Sequence, residues 1–116
     1  MPTIKTLTRK IIHFRDARNW AQFHNPKDVT ISLTLEAAEL LEHFQWKNPA
    51  EIEKHIKTNK SEISDEIADV LYYLLLLGHD LKIDVLAALT QKLKKNAKKY
   101  PVRKAKGRHT KYTELR

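Results

Sequence analysis

Cysteine is absent from this 116-residue chain. Disulfides and thiolate-bound metals go with it, and nothing points to an oxidising compartment. Glycine is almost as scarce, at Gly78 and Gly107 alone, and the four prolines stand at 2, 26, 49 and 101. So little punctuation favours helices, and the prolines cut the chain into helix-sized pieces. There is no alternating strand pattern, internal repeat or low-complexity segment. The longest apolar run is the eight residues Val70–Leu77, well short of the roughly 20 that span a bilayer. Met1–Lys10 carries three cations but no apolar stretch with a cleavage site, so no signal peptide is expected. The expectations are no membrane partner and a cytoplasmic location.

What is present fits one small domain. Hydrophobic residues make up 41% of the chain, enough for a modest core. A domain of this size buries only about two-thirds of its unfolded surface, so association with further copies is a ready way to bury more. The net charge of +8 is uneven: Lys92 to Arg116 holds 11 Lys/Arg against one acid, and the rest holds 11 against 13. A slightly acidic body thus carries a strongly basic end, fit to attract a polyanion.

Apolar spacing predicts four main helices. The first runs from about Ile4 to Phe23 on the stripe Leu7, Ile11, Phe14, Arg18 and Ala21, and His24-Asn25-Pro26 ends it. The second runs from about Thr30 to Trp46 with Leu33, Ala37, Leu40, Leu41 and Phe44 inward. Asn48-Pro49 caps a short helix through Ile56, and Asn59 with Glu62 opens the third long helix, to about Leu81. Its centre, Val70–Leu77, is apolar on every side and predicts a buried central helix. Asp84 caps a fourth helix with Val85, Leu89 and Leu93 inward, and Tyr100-Pro101 stops it. Residues 102–116 read as an extended basic arm following an all-α domain of 1–101.

The informative residues are acids. Glu36 and Glu39 stand three apart on the second helix, Glu66 and Asp69 three apart on the third. Three residues turn a helix by about 300°, so each pair projects from one face. Two such pairs on neighbouring helices place four carboxylates together, which is costly without cations. Hard divalent cations, Mg²⁺ or Mn²⁺, resolve the repulsion and suit phosphoryl chemistry. Glu42 and Asp65 lie off these stripes and read as surface; Glu62 reads as a cap. A di-iron bundle needs Glu-x-x-His pairs, and His43 follows Glu39 by four. His13, His43 and His79 read as structural or surface; the alternative for His43, which aligns with Glu36, is a group behind the carboxylates.

Leu35-Glu36-Ala37-Ala38-Glu39-Leu40 followed by Asp65-Glu66-Ile67-Ala68-Asp69-Val70 resembles the Glu-x-x-Glu … Glu-x-x-Asp signature of the MazG-like all-α nucleoside triphosphate pyrophosphatases. Asn19–His24, Phe44–Lys47, Asn96–Val102 and Lys111–Thr113 are similar to that family's dCTP pyrophosphatase branch, so the likeness spans nearly the whole chain. Segment 48–59 is the least alike, and nothing functional is carried onto it. The resemblance implies a four-helix bundle-like fold that dimerises, often into tetramers, with sites between subunits. It implies that Glu36, Glu39, Glu66 and Asp69 ligate Mg²⁺. It implies that Trp20, Phe23, His24, Trp46 and Tyr73 line a nucleobase pocket. Lys92, Asn96, Lys99 and Tyr100, with Lys111 and Tyr112 from the arm, would hold the triphosphate. The reaction implied is hydrolysis of a nucleoside triphosphate to monophosphate and pyrophosphate; the sequence does not single out the group that activates the water, and Glu39 is taken as the candidate. The residues agree in part: Trp20, Phe23 and His24 would share one face of a helix, and Tyr73 lies one turn beyond Asp69. Two rivals stand beside this reading. A nucleic-acid-binding module accounts for the arm but not for the acids. A non-catalytic helical oligomerisation protein leaves the intact acid set unexplained.

Overall fold

The computed structural model describes residues 1–115, and among these there is no strand. The all-α expectation is met. Two compact units follow one another along the chain, Met1–Lys82 and Ile83–Arg116. Among the described residues, no helix is long and apolar enough to cross a membrane.

The first unit holds three helices. α1 spans Ile4–Ala17 and starts from a reciprocal cap: Thr6 N–H donates to Thr3 Oγ1 at 3.1 Å, and Thr3 N–H to Thr6 Oγ1 at 2.8 Å. It does not reach Phe23. Asn19 adopts a left-handed φ of 54°, which Asn tolerates better than most residues. That reversal ends α1, and Ala21–Phe23 forms a separate 3-10 turn. Trp20, Phe23 and His24 therefore do not share a face of a continuous α-helix.

α2 spans Pro26–Glu42. Pro26 is its first residue rather than the stop of the preceding helix. Asn25 caps it by accepting from Asp28 N–H at 2.9 Å, and proline suits a first-turn position whose N–H has no partner. α2 ends before the expected Trp46, which sits beyond a turn at φ 64°. α3 spans Pro49–Asp80, and Asn48 and Glu51 form the capping box in front of it. It joins the two helices expected there across a kink at Asn59, without a separate cap for the second. Asn59, at φ −126° and ψ 24°, breaks the helical geometry inside it and kinks it. The Asn59 amide turns back to His55 and Thr58 instead of capping toward Glu62.

α1 and α2 each pack against α3. Val29, Ile63, Leu75 and Leu76 are the buried apolar residues. Arg15 Nη1 donates to Asp80 Oδ1 at 2.9 Å and Oδ2 at 2.8 Å, tying α1 to the end of α3. Burial opposes the charge on Asp80, but Arg15, helped by His79, holds its carboxyl below the usual carboxylate range. The apolar centre of α3 is not buried all round: Leu71 and Leu74 are each 43% exposed, and Ile67 before them 54%. Within one chain, neighbours cover only one side of it.

In the second unit α4 spans Val85–Lys99, capped by Asp84, which accepts from Ala87 N–H at 3.0 Å. Of the expected inward face, Val85 is half-buried, whereas Leu89 and Leu93, with Leu86 beside them, are exposed among the described residues. The segment after Pro101 is not fully extended. It forms a short helix α5, Val102–Ala105, and a 3-10 turn at Tyr112–Glu114.

Candidate active site

The packing of α2 on α3 brings acids from both helices together. One carboxylate oxygen from each of Glu36, Glu39 and Glu66 lies within 4.8 Å of the other two. Glu36 and Glu39 meet one turn apart on α2, as their spacing requires. Asp69, one turn beyond Glu66, is exposed and lies outside this group of three. Its charge nevertheless bears on both Glu36 and Glu66.

Burial and crowding together disfavour charge on these acids. Burial, a carboxyl-to-carboxyl hydrogen bond with Glu39, and the charges of Glu39, Asp69 and Glu66 push the Glu36 pKa up to about 7. Such a bond needs a shared proton, which is why it raises the pKa. Burial and Glu39 likewise raise Glu66, with Asp69 adding to the rise and His43 opposing it. Glu36 Oε2 and Glu66 Oε2 are shielded from water and have no N–H or O–H partner. Buried acceptors are rarely left so. Three converging carboxylates, two of them with orphaned oxygens, form a donor set suited to a hard divalent cation.

A cleft of about 460 Å³ opens beside the group, lined by Glu39, Glu42, His43, His55, Glu62, Asp65 and Glu66. Glu62, Glu42 and Asp65, read from the sequence as cap and surface, thus border the site. His43 Nδ1 lies 2.8 Å from His55 Nε2, and Asn59 Nδ2 lies 3.1 Å from His55 Nδ1. Burial, Lys47 and His43 hold His55 below the ordinary histidine range against a pull from Glu62. His55 and Asn59 fall in the segment to which the sequence reading assigned no functional role, Asn59 being read there as a helix cap. No motif marks them; only the packing of α2 on α3 places His55 against His43.

The residues expected to hold a base stand in separate settings. Trp20 meets Phe14 edge-on, centroids 5.7 Å apart, and the Arg18 guanidinium lies 3.6 Å from the Phe14 centroid. Phe23 is exposed, and Trp46 is 92% exposed. His24 is half-buried with Nδ1 unpartnered. Tyr73 is half-buried and packs edge-on against Tyr72 at 5.1 Å. Among the described residues, no ring contact joins Trp20, Trp46 and Tyr73.

In the second unit, Lys99 Nζ lies 4.6 Å over the Tyr112 ring, and Tyr100 meets Tyr112 edge-on at 6.2 Å. A pocket of about 340 Å³ is lined by Lys98, Lys99, Pro101, Lys104, Tyr112 and Leu115. Three of the expected phosphate residues, Lys99, Tyr100 and Tyr112, are thereby gathered. Lys111, beside Tyr112, and Lys92, two turns before Lys99, are exposed. Asn96 is half-buried, and its carbonyl accepts from Tyr100 N–H at 2.8 Å.

Comparison with known proteins converges on one family. The description of the MazG-like family matches residues 31–115. The dCTP pyrophosphatase 1 proteins of Rattus norvegicus and Homo sapiens are each 34% identical over 116 residues, covering 98% of this chain and 68% of the relative. The crystal structure of a pyrophosphatase from Archaeoglobus fulgidus, 39% identical, aligns with a TM-score of 0.82 over 87% of this chain and 94% of its own. With its Glu-x-x-Glu and Glu-x-x-Asp helices packed together, this chain belongs to the MazG-like family.

Proposed function

We propose that this chain is a nucleoside triphosphate pyrophosphohydrolase acting on dCTP or 5-modified dCTP, with release of the monophosphate and pyrophosphate. The activity class follows the relatives, named dCTP pyrophosphatase 1 and pyrophosphatase. The observation that carries it is the meeting of Glu36, Glu39 and Glu66 within 4.8 Å, with two buried oxygens unpartnered. Neither a nucleic-acid-binding module nor a non-catalytic oligomerisation protein gives those oxygens a role.

Glu36, Glu39 and Glu66 would hold Mg²⁺, with Mn²⁺ the alternative, and Asp69 would complete the set from the same stripe of α3. When bound, such a cation neutralises polyphosphate oxygens and makes water a readier nucleophile. Glu39, the exposed member of the three, would orient the water that attacks the α-phosphorus. Trp20, Phe23, His24, Trp46 and Tyr73 would enclose the base by stacking and edge contacts. Lys92, Asn96, Lys99, Tyr100, Lys111 and Tyr112 would neutralise the phosphates, so residues 102–116 would serve as an arm that completes the site. A homodimer or homotetramer would cover the apolar stripes of α2 and α3, where Ile31, Leu35, Ile67 and Leu71 are exposed. The role would be removal of unwanted nucleotides from a cytoplasmic pool.

The deciding experiment measures pyrophosphate release from a panel of ribo- and deoxynucleoside triphosphates, with and without Mg²⁺. Release from dCTP that requires the cation is expected. Failure to cleave any triphosphate would overturn the proposal.

A further inference from the structure

The imidazoles of His43, at the end of α2, and His55, in the first part of α3, meet at the wall of the acidic cleft. Their partners decide which ring nitrogen carries each proton. Asn59 Nδ2 lies 3.1 Å from the His55 carbonyl oxygen, which only accepts, so the amide turns its NH₂ to this side. The same nitrogen lies 3.1 Å from His55 Nδ1. An amide NH₂ does not accept, so His55 Nδ1 is bare and its proton sits on Nε2. His55 Nε2–H then donates to His43 Nδ1 at 2.8 Å. The proton of His43 is thereby left on its own Nε2.

Charging either ring would break this chain. A second proton on His55 would face the Asn59 NH₂, and a second proton on His43 would face the His55 N–H. Burial and Lys47, which disfavour charge on His55, act in the same sense; Glu62 alone opposes them.

The rest of the cleft wall is carboxylate, acceptor-only once ionised. His55 has committed its one proton to His43. Nε2–H of His43 is then the one side-chain donor this wall offers, and it makes no hydrogen bond among the described residues. We propose that the Asn59–His55–His43 chain makes His43 Nε2–H a fixed donor to a phosphoryl oxygen of the substrate, with His55 and Asn59 as positioning residues. This rests on the pyrophosphohydrolase reading, which supplies an anionic oxygen to a wall otherwise unable to bind one.

Two readouts on the full-length protein test it. Long-range ¹H–¹⁵N NMR of the metal-free protein, well above the ordinary histidine pKa of about 6.5, should show Nε2–H tautomers at both His43 and His55. In H55F, His43 should show a mixture. In turnover of dCTP with Mg²⁺, H43F should lower kcat/KM about 10- to 100-fold, the worth of a hydrogen bond to a charged group. H43Q, which keeps a donor near the Nε2 position, should recover most of that loss. H55F should fall between H43F and wild type, with the Mg²⁺-induced thermal shift retained in all three. An Nδ1–H tautomer at His43 in the wild-type protein overturns the relay. Unchanged kcat/KM in H43F overturns the donor role; should H43F fail to fold, equal kcat/KM in H55F and wild type does so. A wild-type protein that cleaves no triphosphate sinks the functional reading and the donor role with it, while the NMR tautomers still decide the relay on their own.

Discussion

Glu36 retains a proton up to about pH 7 because burial disfavours its charge and the folded chain crowds it against other acids. Its folded pKa is above its unfolded one, so the folded state binds more protons than the unfolded state between the ordinary carboxylate range and neutrality. Stability of the metal-free protein should therefore fall as pH rises through that window. A divalent cation should reverse the trend by replacing the proton. Thermal melts from pH 5 to 8 on the metal-free protein should show the decline, and E36Q should flatten it while abolishing the shift produced by Mg²⁺. For Glu39 the expectation is kinetic: E39Q should lose turnover by about 100-fold or more, the lower range for a lost proton-transfer group, in a pyrophosphate-release assay. Asp80 has the opposite sign. Arg15 depresses its pKa, so its contribution is present above the unfolded value and disappears as pH falls through the folded one. Removing the cation with R15M should cost about 2 kcal/mol of stability, as for other charged hydrogen bonds, read by denaturant melts at neutral pH.

At the scale of elements, boundaries set by local chemistry follow from the sequence. Asn48-Pro49 starts α3 and Asp84 starts α4 because a cap needs only its own next turn, and Tyr100 ends α4 because Pro101 follows it. N48A should lower stability by about 1 kcal/mol, the usual worth of a cap, measured by urea unfolding. Where local signals compete, the sequence is ambiguous. Pro26 fits both a stop and a first turn; the left-handed Asn19 has already ended α1, and the Asn25 cap sets Pro26 in the first turn of α2. Asn59 marks a break in helical geometry, as its residue type suggests, but the chain continues across it. The meeting of Glu36, Glu39 and Glu66 is legible because i, i+3 spacing fixes a face. His55 is not, since nothing in the eleven intervening residues says that the turn after α2 brings it back onto His43. Glu62 and Asp65 become part of a cleft for the same reason: their surroundings come from another helix.

For the whole molecule, the buried apolar set described above, Val29, Ile63, Leu75 and Leu76, is small beside the apolar side chains left open on α2, α3 and α4. Light scattering should give a mass two or four times the 13.6 kDa of the chain, and L71K with I67D should bring it down to one. Mg²⁺ at 100 times its dissociation constant should add about 2.7 kcal/mol, seen as a higher melting temperature in calorimetry. Assembled as proposed, a protein with so little of its oily surface sealed inside each copy would draw its cohesion from its neighbours. Its melting point should then slide with concentration, and simple dilution should act on it as urea acts on others.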